Sequence, residues 1–285
     1  MNIQKAVITA ASPAQRALPL QRLIDRNGRE RTVLAIVLEE AARAGMKEAA
    51  VVVHPGDEAA CAAAAEGTPL KLQFIPQSQG PGYARAIWSA REFTSSDPFL
   101  HMVGDHLYVG DEPGACAARL VEVACRERCA VSAVQATHES LLPNFGAVGG
   151  QPLASQADLY TIERVAEKPT PTYAERSLLV PGLRSGHYLC FFGMHVLTPS
   201  IMEILDGMFR SAQDSPAGFT DALQTLASRE RYLALQMDSK RYDLGVKYGL
   251  FTAQAALAMN GSDRDEILAR LVNLLAASPA RKAGL

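Results

Sequence analysis

The chain has 285 residues, of which 48% are apolar and 20% charged, with a formal net charge of -2 at pH 7. Such a chain buries a sizeable core and is not largely disordered. Its near-balanced charge gives no general attraction to nucleic acid or anionic membrane, and no run approaches the ~20 apolar residues of a membrane span. The opening MNIQKAVITA lacks the basic start and cleavage site of a secretory signal, so a cytoplasmic location is expected. The closest pair among Cys61, Cys116, Cys125, Cys129 and Cys190 is separated by one helical turn, which predicts free thiols packed in helices rather than metal ligands.

Lys5 to Pro19, KAVITAASPAQRALP, reads as a buried strand entering a small-residue turn. Ala10, Ala11, Ser12 and Ala14 are small enough to let a ligand approach the backbone, and Arg16, Arg22 and Arg26 follow as cations that suit phosphate oxygens. An ordinary strand-to-helix turn with solvated arginines is the competing reading of this segment alone. The spacing then predicts a helix over 32–44, a strand over 48–54, an alanine-rich helix over 58–66, a strand over 70–76 and a helix over 83–92. PFLHMVGDHLYV, residues 98–109, reads as a strand that ends at Gly104 and presents Asp105 and His106. This alternation implies parallel pairing with right-handed crossovers, which gathers the strand ends on the ligand-binding edge of the sheet.

A helix over 114–128 and a strand over 130–136 follow. The rhythm then changes: 144–150, 160–168 and 187–195 are strand-like runs with polar loops, expected as an antiparallel extension lying over the ligand edge. Helices near 200–210 and 219–230, a strand over 232–237, the loop SKRYDLG, helices near 246–259 and 263–276, and a frayed tail over 278–285 complete the chain. The expected fold class is α/β and Rossmann-like, with a mostly parallel central sheet, helices on both faces and a small antiparallel extension.

Several separated motifs bear chemistry. Gln77 and Gly82 in QSQGPGYARAI pair a side-chain amide, which donates and accepts at once, with a glycine turn. Asp105 in HMVGDHL and Asp243 in YDLGVKYG are carboxylates at expected strand ends, where turn or cap roles compete for each taken alone. Gly146 in NFGAV, the run Glu167, Lys168 and Pro169, and Thr220 with Asp221 in GFTDAL complete the set. In this order and spacing, from Lys5 to about Asn260, the chain resembles the bacterial sugar-1-phosphate nucleotidyltransferases, most closely their UTP:glucose-1-phosphate uridylyltransferase branch.

The resemblance implies a single domain over 1–285, with a nucleotide-binding part at about 1–136, a sugar-binding and lid part at about 137–240 and C-terminal helices at about 246–276. It implies that Gln77 and Gly82 read a pyrimidine edge, that Asp105 and Asp243 share one Mg²⁺, and that Arg16, Arg22 and Arg26 meet the triphosphate. Gly146 and Glu167 would line a sugar pocket and Lys168 would hold the sugar phosphate. The implied substrates are an NTP, UTP or dTTP, and a hexose-1-phosphate; the implied products are a nucleotide sugar of the UDP-glucose kind and pyrophosphate. A homo-oligomer is expected, with no nucleic-acid or membrane partner. The family's loop has the form GxGTRxxPxTK; here Arg16 and Pro19 match, both loop glycines are absent, and Pro13 has no N–H to offer. That departure keeps a second reading open, a paralogue that binds a nucleotide or nucleotide sugar as a sensor or regulatory partner without turning it over.

Overall fold

The computed structural model describes residues 1–78, 80–110, 112–154, 156–211 and 218–277, so the tail expected over 278–285 lies outside the described residues. The first half holds β1 (Lys5–Ala10), the hairpin β2 (Arg22–Ile24) and β3 (Glu30–Thr32), α1 (Val33–Arg43), β4 (Glu48–Val53), α2 (Glu58–Ala64) and β5 (Lys71–Pro76). It continues through α3 (Tyr83–Ser89), α4 (Arg91–Thr94), β6 (Phe99–Val103), β7 (His106–Val109), α5 (Ala115–Glu127) and β8 (Ala130–His138). Next come β9 (Ala147–Gly149), β10 (Pro152–Leu153), β11 (Gln156–Thr161), β12 (Arg164–Ala166), α6 (Pro171–Ser177) and β13 (His187–Leu197). Then α7 (Ser200–Ser211), α8 (Phe219–Arg229), β14 (Tyr232–Gln236), β15 (Lys240–Asp243), α9 (Gly249–Met259) and α10 (Arg264–Ala277) close the described chain.

Among the described residues, the main sheet has 11 strands, in the order β10-β11-β14-β8-β13-β6-β1-β4-β5, with β9 and β12 attached beside β13. The parallel pairs β1 with β4, β4 with β5 and β1 with β6 match the expected strand, helix, strand alternation. Alternation along these strands divides the core. Ala6, Ile8, Ala49 and Val51 face α1 and α5, while Val7, Ala50 and Val52 face α3, α7 and α8. Both faces are covered over β1, β4 and β6, so their central residues are mostly apolar, while β5 at the sheet edge alternates exposed Lys71 and Gln73 with apolar residues.

Two expectations are corrected. The run over 187–195 is not an overlying extension: β13 is antiparallel and inserts between β6 and β8, in the middle of the sheet. SKRYDLG is not a loop, because residues 240–243 form β15 and pair with β7. The hairpin of β2 and β3 is likewise absent from the sequence reading. The described cysteines are all free, as expected. No described helix is long and apolar enough to cross a membrane.

Candidate active site

The carboxyl ends of β1, β4, β5 and β6 open into a cleft with two connected chambers. The outer one, of about 720 Å³, is bounded by Thr9, Ser12, Gln15, Gln77, Gly82, Asp105 and Lys168. The inner one, of about 560 Å³, is bounded by Gly146, Phe191, His195, Phe219, Arg241 and Asp243. Tyr83, His106, Asn144 and Glu167 border both chambers, so they are two halves of one site.

β1 delivers Thr9 and Ala11 to the outer chamber by strand alternation. Ala10 therefore turns the other way, toward the core cluster of Ala6 and Ile8, and does not line the cleft, contrary to the sequence reading. Ala14 also lies off the cleft wall, in an exposed turn. That turn is held by Gln15 N–H donating to Ser12 O at 3.0 Å and Leu18 N–H donating to Gln15 O at 2.9 Å. From 11 to 17 no residue has positive φ, so the loop closes as a tight right-handed turn without the left-handed steps that glycines permit.

The three arginines separate. Arg16 stays in the loop and its guanidinium clasps Asp57, with Nε to Oδ2 at 2.9 Å. Arg22 lies on β2 and pairs with Glu30 across the hairpin at 2.5 Å. Arg26 donates to Asn260 O at 2.8 Å and Gly110 O at 3.0 Å, tying the hairpin to the C-terminal helices. Neither Arg22 nor Arg26 borders the cleft, because the hairpin carries both away from the β1 turn. These two candidate catalytic cations are corrected to structural roles.

Gln77 follows β5, and its amide nitrogen donates to Gly80 O at 2.8 Å and Gly82 O at 3.0 Å. Its amide oxygen is then oriented by a folded loop rather than left to rotate. Gly82 has φ of +120°, a conformation that an L side chain resists, so the loop depends on this glycine.

Asp105 and Asp243 come from distant parts of the chain to adjacent strands. Asp243 lies opposite His106 in the pairing of β15 with β7, and Leu244 N–H donates to Asp105 O at 3.0 Å. Asp105 Oδ1 receives His106 Nδ1 at 2.8 Å, and Asp243 Oδ1 receives Gly245 N–H at 2.8 Å. Among the described residues, neither Oδ2 has a hydrogen-bond partner. Close approach governs this joint. A Cβ on Gly104 would lie 2.9 Å from Thr9 O, and one on Gly249 would lie 2.2 Å from Asp243 O. No group of three or more His, Cys, Asp or Glu side chains that could hold a metal occurs among the described residues. A pair of carboxylates with room for ligand oxygens is what the joint provides.

Glu167 follows β12, and its Oε2 accepts Thr220 Oγ1 at 2.6 Å. Lys168 adopts φ of +43°, a strained conformation for a residue with a Cβ, and that twist directs it to the outer chamber. Gly146 passes so close to its neighbours that a Cβ there would sit 2.9 Å from Phe191 and 3.2 Å from Glu167. Thr220 and Asp221 begin α8, where Asp221 Oδ2 accepts Gly218 N–H at 2.8 Å as a cap.

Arg241 is missing from the sequence reading. It stands two residues before Asp243 on β15, hence on the same face, and its guanidinium lies 3.6 Å above the centre of the Phe145 ring. Burial lowers its pKa from the usual arginine value, and it has no ion pair among the described residues. An inward-facing cation that makes no ion pair among the described residues, with Asp243 as its acidic neighbour, borders the inner chamber. Strand alternation over KRYD was the available signal, hidden because the segment read as a loop.

The sequence model of the Nucleotidyl transferase family matches residues 18–260. The chain is 25% identical over 305 aligned positions to the UTP--glucose-1-phosphate uridylyltransferase 2 of Streptococcus pyogenes, with 96% of each chain covered. It is 24% identical to the UTP--glucose-1-phosphate uridylyltransferase of Bacillus subtilis, covering 96% of this chain and 98% of that one. Its fold is similar to a UDP-glucose pyrophosphorylase solved with UDP-glucose, at a TM-score of 0.72 and 23% identity, over 90% of this chain and 98% of the other. It is similar again to the UDP-glucose pyrophosphorylase of Acinetobacter baumanii, at a TM-score of 0.74 and 18% identity, over 96% and 100% of the two chains. With the match running from Leu18, just after the β1 turn, to the end of α9, and with the cleft at the carboxyl edge of the sheet, the chain belongs to the nucleotidyl transferase family.

Proposed function

We propose that this enzyme transfers a nucleotidyl group from UTP or dTTP to a hexose-1-phosphate, forming a nucleotide sugar of the UDP-glucose kind and releasing pyrophosphate. The observation that carries this reading is the joint of Asp105 and Asp243 between the two chambers. In-line displacement needs positioning and charge neutralisation more than a protein nucleophile. An oxygen of the sugar phosphate attacks the α-phosphorus, the bond to the bridging oxygen of the β-phosphate breaks, and pyrophosphate carries that electron pair away.

Mg²⁺ suits two carboxylates completed by phosphate oxygens and water, and Asp105 and Asp243 would hold it through their uncommitted oxygens. When bound, it neutralises charge at the transferring phosphate. Gln77, already fixed by Gly80 and Gly82, meets the imide edge of a pyrimidine. Lys168 from the outer chamber and Arg241 from the inner one flank the sugar phosphate, and Glu167 accepts from sugar hydroxyls. Arg16 reaches the triphosphate by exchanging Asp57 for phosphate oxygens. A homo-oligomer in the cytoplasm belongs to the same reading: α9 and α10 leave Phe251, Val272 and Leu275 exposed, an apolar stretch suited to a second copy.

The test is pyrophosphate release from UTP or dTTP with glucose-1-phosphate and Mg²⁺. Turnover with at least one pyrimidine nucleotide supports the reading. Silence across nucleotides and hexose phosphates, while UDP-glucose still raises the melting temperature, favours the sensor reading that the glycine-free loop suggests.

A further inference from the structure

The inner chamber has a built polar floor that none of the matched motifs accounts for. Across the central strands, His195 on β13 lies opposite His101 on β6 and opposite Ser132 on β8. The two imidazoles stack with ring centres 5.8 Å apart and planes 13° from parallel. Phe219 presents its edge to His195 at 5.5 Å. His101 is fully enclosed and His195 is 2% exposed, and His195 borders the chamber.

Hydrogen-bond directions follow from what each partner can do. His101 Nδ1 lies 3.0 Å from Val7 O, and a carbonyl only accepts, so Nδ1 carries the proton. Its Nε2 is then the acceptor for Tyr83 O–H at 2.7 Å. On the other side, His195 Nδ1 lies 2.5 Å from Ser132 Oγ, which also bonds to the Tyr232 hydroxyl. Tyr232 is buried and its hydroxyl has no other hydrogen-bond partner among the described residues. If Ser132 donated to Tyr232, the phenolic proton would be left buried without an acceptor, at a cost that folded proteins avoid. The chain therefore runs from Tyr232 to Ser132 to His195 Nδ1, which leaves the imidazole proton on Nε2. Among the described residues Nε2 has no partner, and it is the polar ring atom of His195 left open to the chamber.

We propose that His195 selects the hexosyl group, its Nε2–H donating to one hydroxyl oxygen of the sugar, with Ser132 and Tyr232 as positioning residues that hold the tautomer. This rests on the nucleotide-sugar reading of the cleft. The surrounding rings suit the assignment, since Phe191 and Phe219 offer apolar faces to the carbon skeleton of a hexose while His195 reads its oxygen. Burial keeps both imidazoles neutral, pulling His101 down to about 4 and His195 well below its ordinary value. A neutral donor matches a neutral hydroxyl.

The test combines kinetics with histidine NMR. At saturating UTP, glucose-1-phosphate is compared with analogues lacking a single hydroxyl at C2, C3, C4 or C6. The wild type should lose about 10-fold in kcat/KM for one analogue. His195→Phe should bring the parent sugar down to that analogue's level, leave the analogue itself unchanged and leave the KM for UTP unmoved. Equal losses on every sugar, or a wild type indifferent to all deletions, would overturn the proposal. In ¹⁵N-histidine spectra the wild type should show the Nε2–H tautomer, its resonance shifting on addition of glucose-1-phosphate, and Ser132→Ala should release the tautomer. An Nδ1–H tautomer, or no shift at saturating sugar phosphate, also overturns it. Absence of pyrophosphate release in the wild type would instead count against the transferase reading, while the NMR shift still decides the role of His195.

Discussion

Arg241 is the residue whose placement says most about the chemistry of the inner chamber. A guanidinium with its charge turned inward, stacked on Phe145 and making no ion pair among the described residues, is poised for an anion. If it holds the sugar phosphate, Arg241→Ala should raise the KM for hexose-1-phosphate about 10-fold or more with little change in the KM for UTP. Arg241→Lys should recover part of the loss, since it restores charge without the planar fork. Equal effects on both substrates would mean that Arg241 supports the fold of the Phe145 segment instead.

At the scale of elements, Glu40 shows how the helical layer is joined. Buried on α1, it accepts Gly114 N–H at 2.8 Å and Ala117 N–H at 2.9 Å, capping α5 from a neighbouring helix. Glu40→Ala leaves those donors buried without partners, so urea unfolding should show a loss of about 1–3 kcal/mol. Glu40→Gln keeps one acceptor and should lose less, and cleft kinetics should change little in either variant. A fully stable Glu40→Ala protein would mean that water replaces the cap. The sequence made the parallel half of the sheet legible because β1, β4, β5 and β6 are short apolar runs separated by helices of the right length. It showed β13 as a strand but concealed its place in the middle of the sheet, since polar His187 and His195 suit an exposed antiparallel strand; His195 is tolerated there because it faces a cavity and Ser132. β15 was concealed for the same reason, since Arg241 and Asp243 point into the cleft and break the usual pattern of apolar residues inward. Arg22 and Arg26 misled because nearness in sequence stood in for nearness in space. The β2–β3 hairpin, with Asp25 accepting Asn27 and Arg29 N–H groups, turns them outward. Asp105, Gln77, Gly146 and Glu167 were legible as cleft-lining positions because each sits in a short motif whose strand or turn context the pattern also specified.

Across the whole molecule, two buried neutral histidines make stability depend on pH. The depressed His101 value means that the unfolded chain binds a proton that the native state refuses, so stability is full above the ordinary value of 6.5 and falls as pH drops toward about 4. His195 acts in the same direction. By pH 5 the loss from His101 alone should reach about 2 kcal/mol. Urea midpoints at pH 7, 6 and 5 would register it, and His101→Gln should flatten the slope. Stability that is level from pH 7 to 5 would mean that His101 is protonated in the native state.

The central claim is that carboxylates from the end of β6 and the end of β15 serve one divalent cation. Mn²⁺ titrated in the presence of UTP and followed by electron paramagnetic resonance tests it most directly, since Mn²⁺ replaces Mg²⁺ at oxygen sites. The wild type should show one UTP-dependent site, weakened about 10-fold or more by Asp105→Asn and by Asp243→Asn alike, with little further loss in the double variant. Unchanged Mn²⁺ binding in either single variant, or losses that simply add, would contradict it.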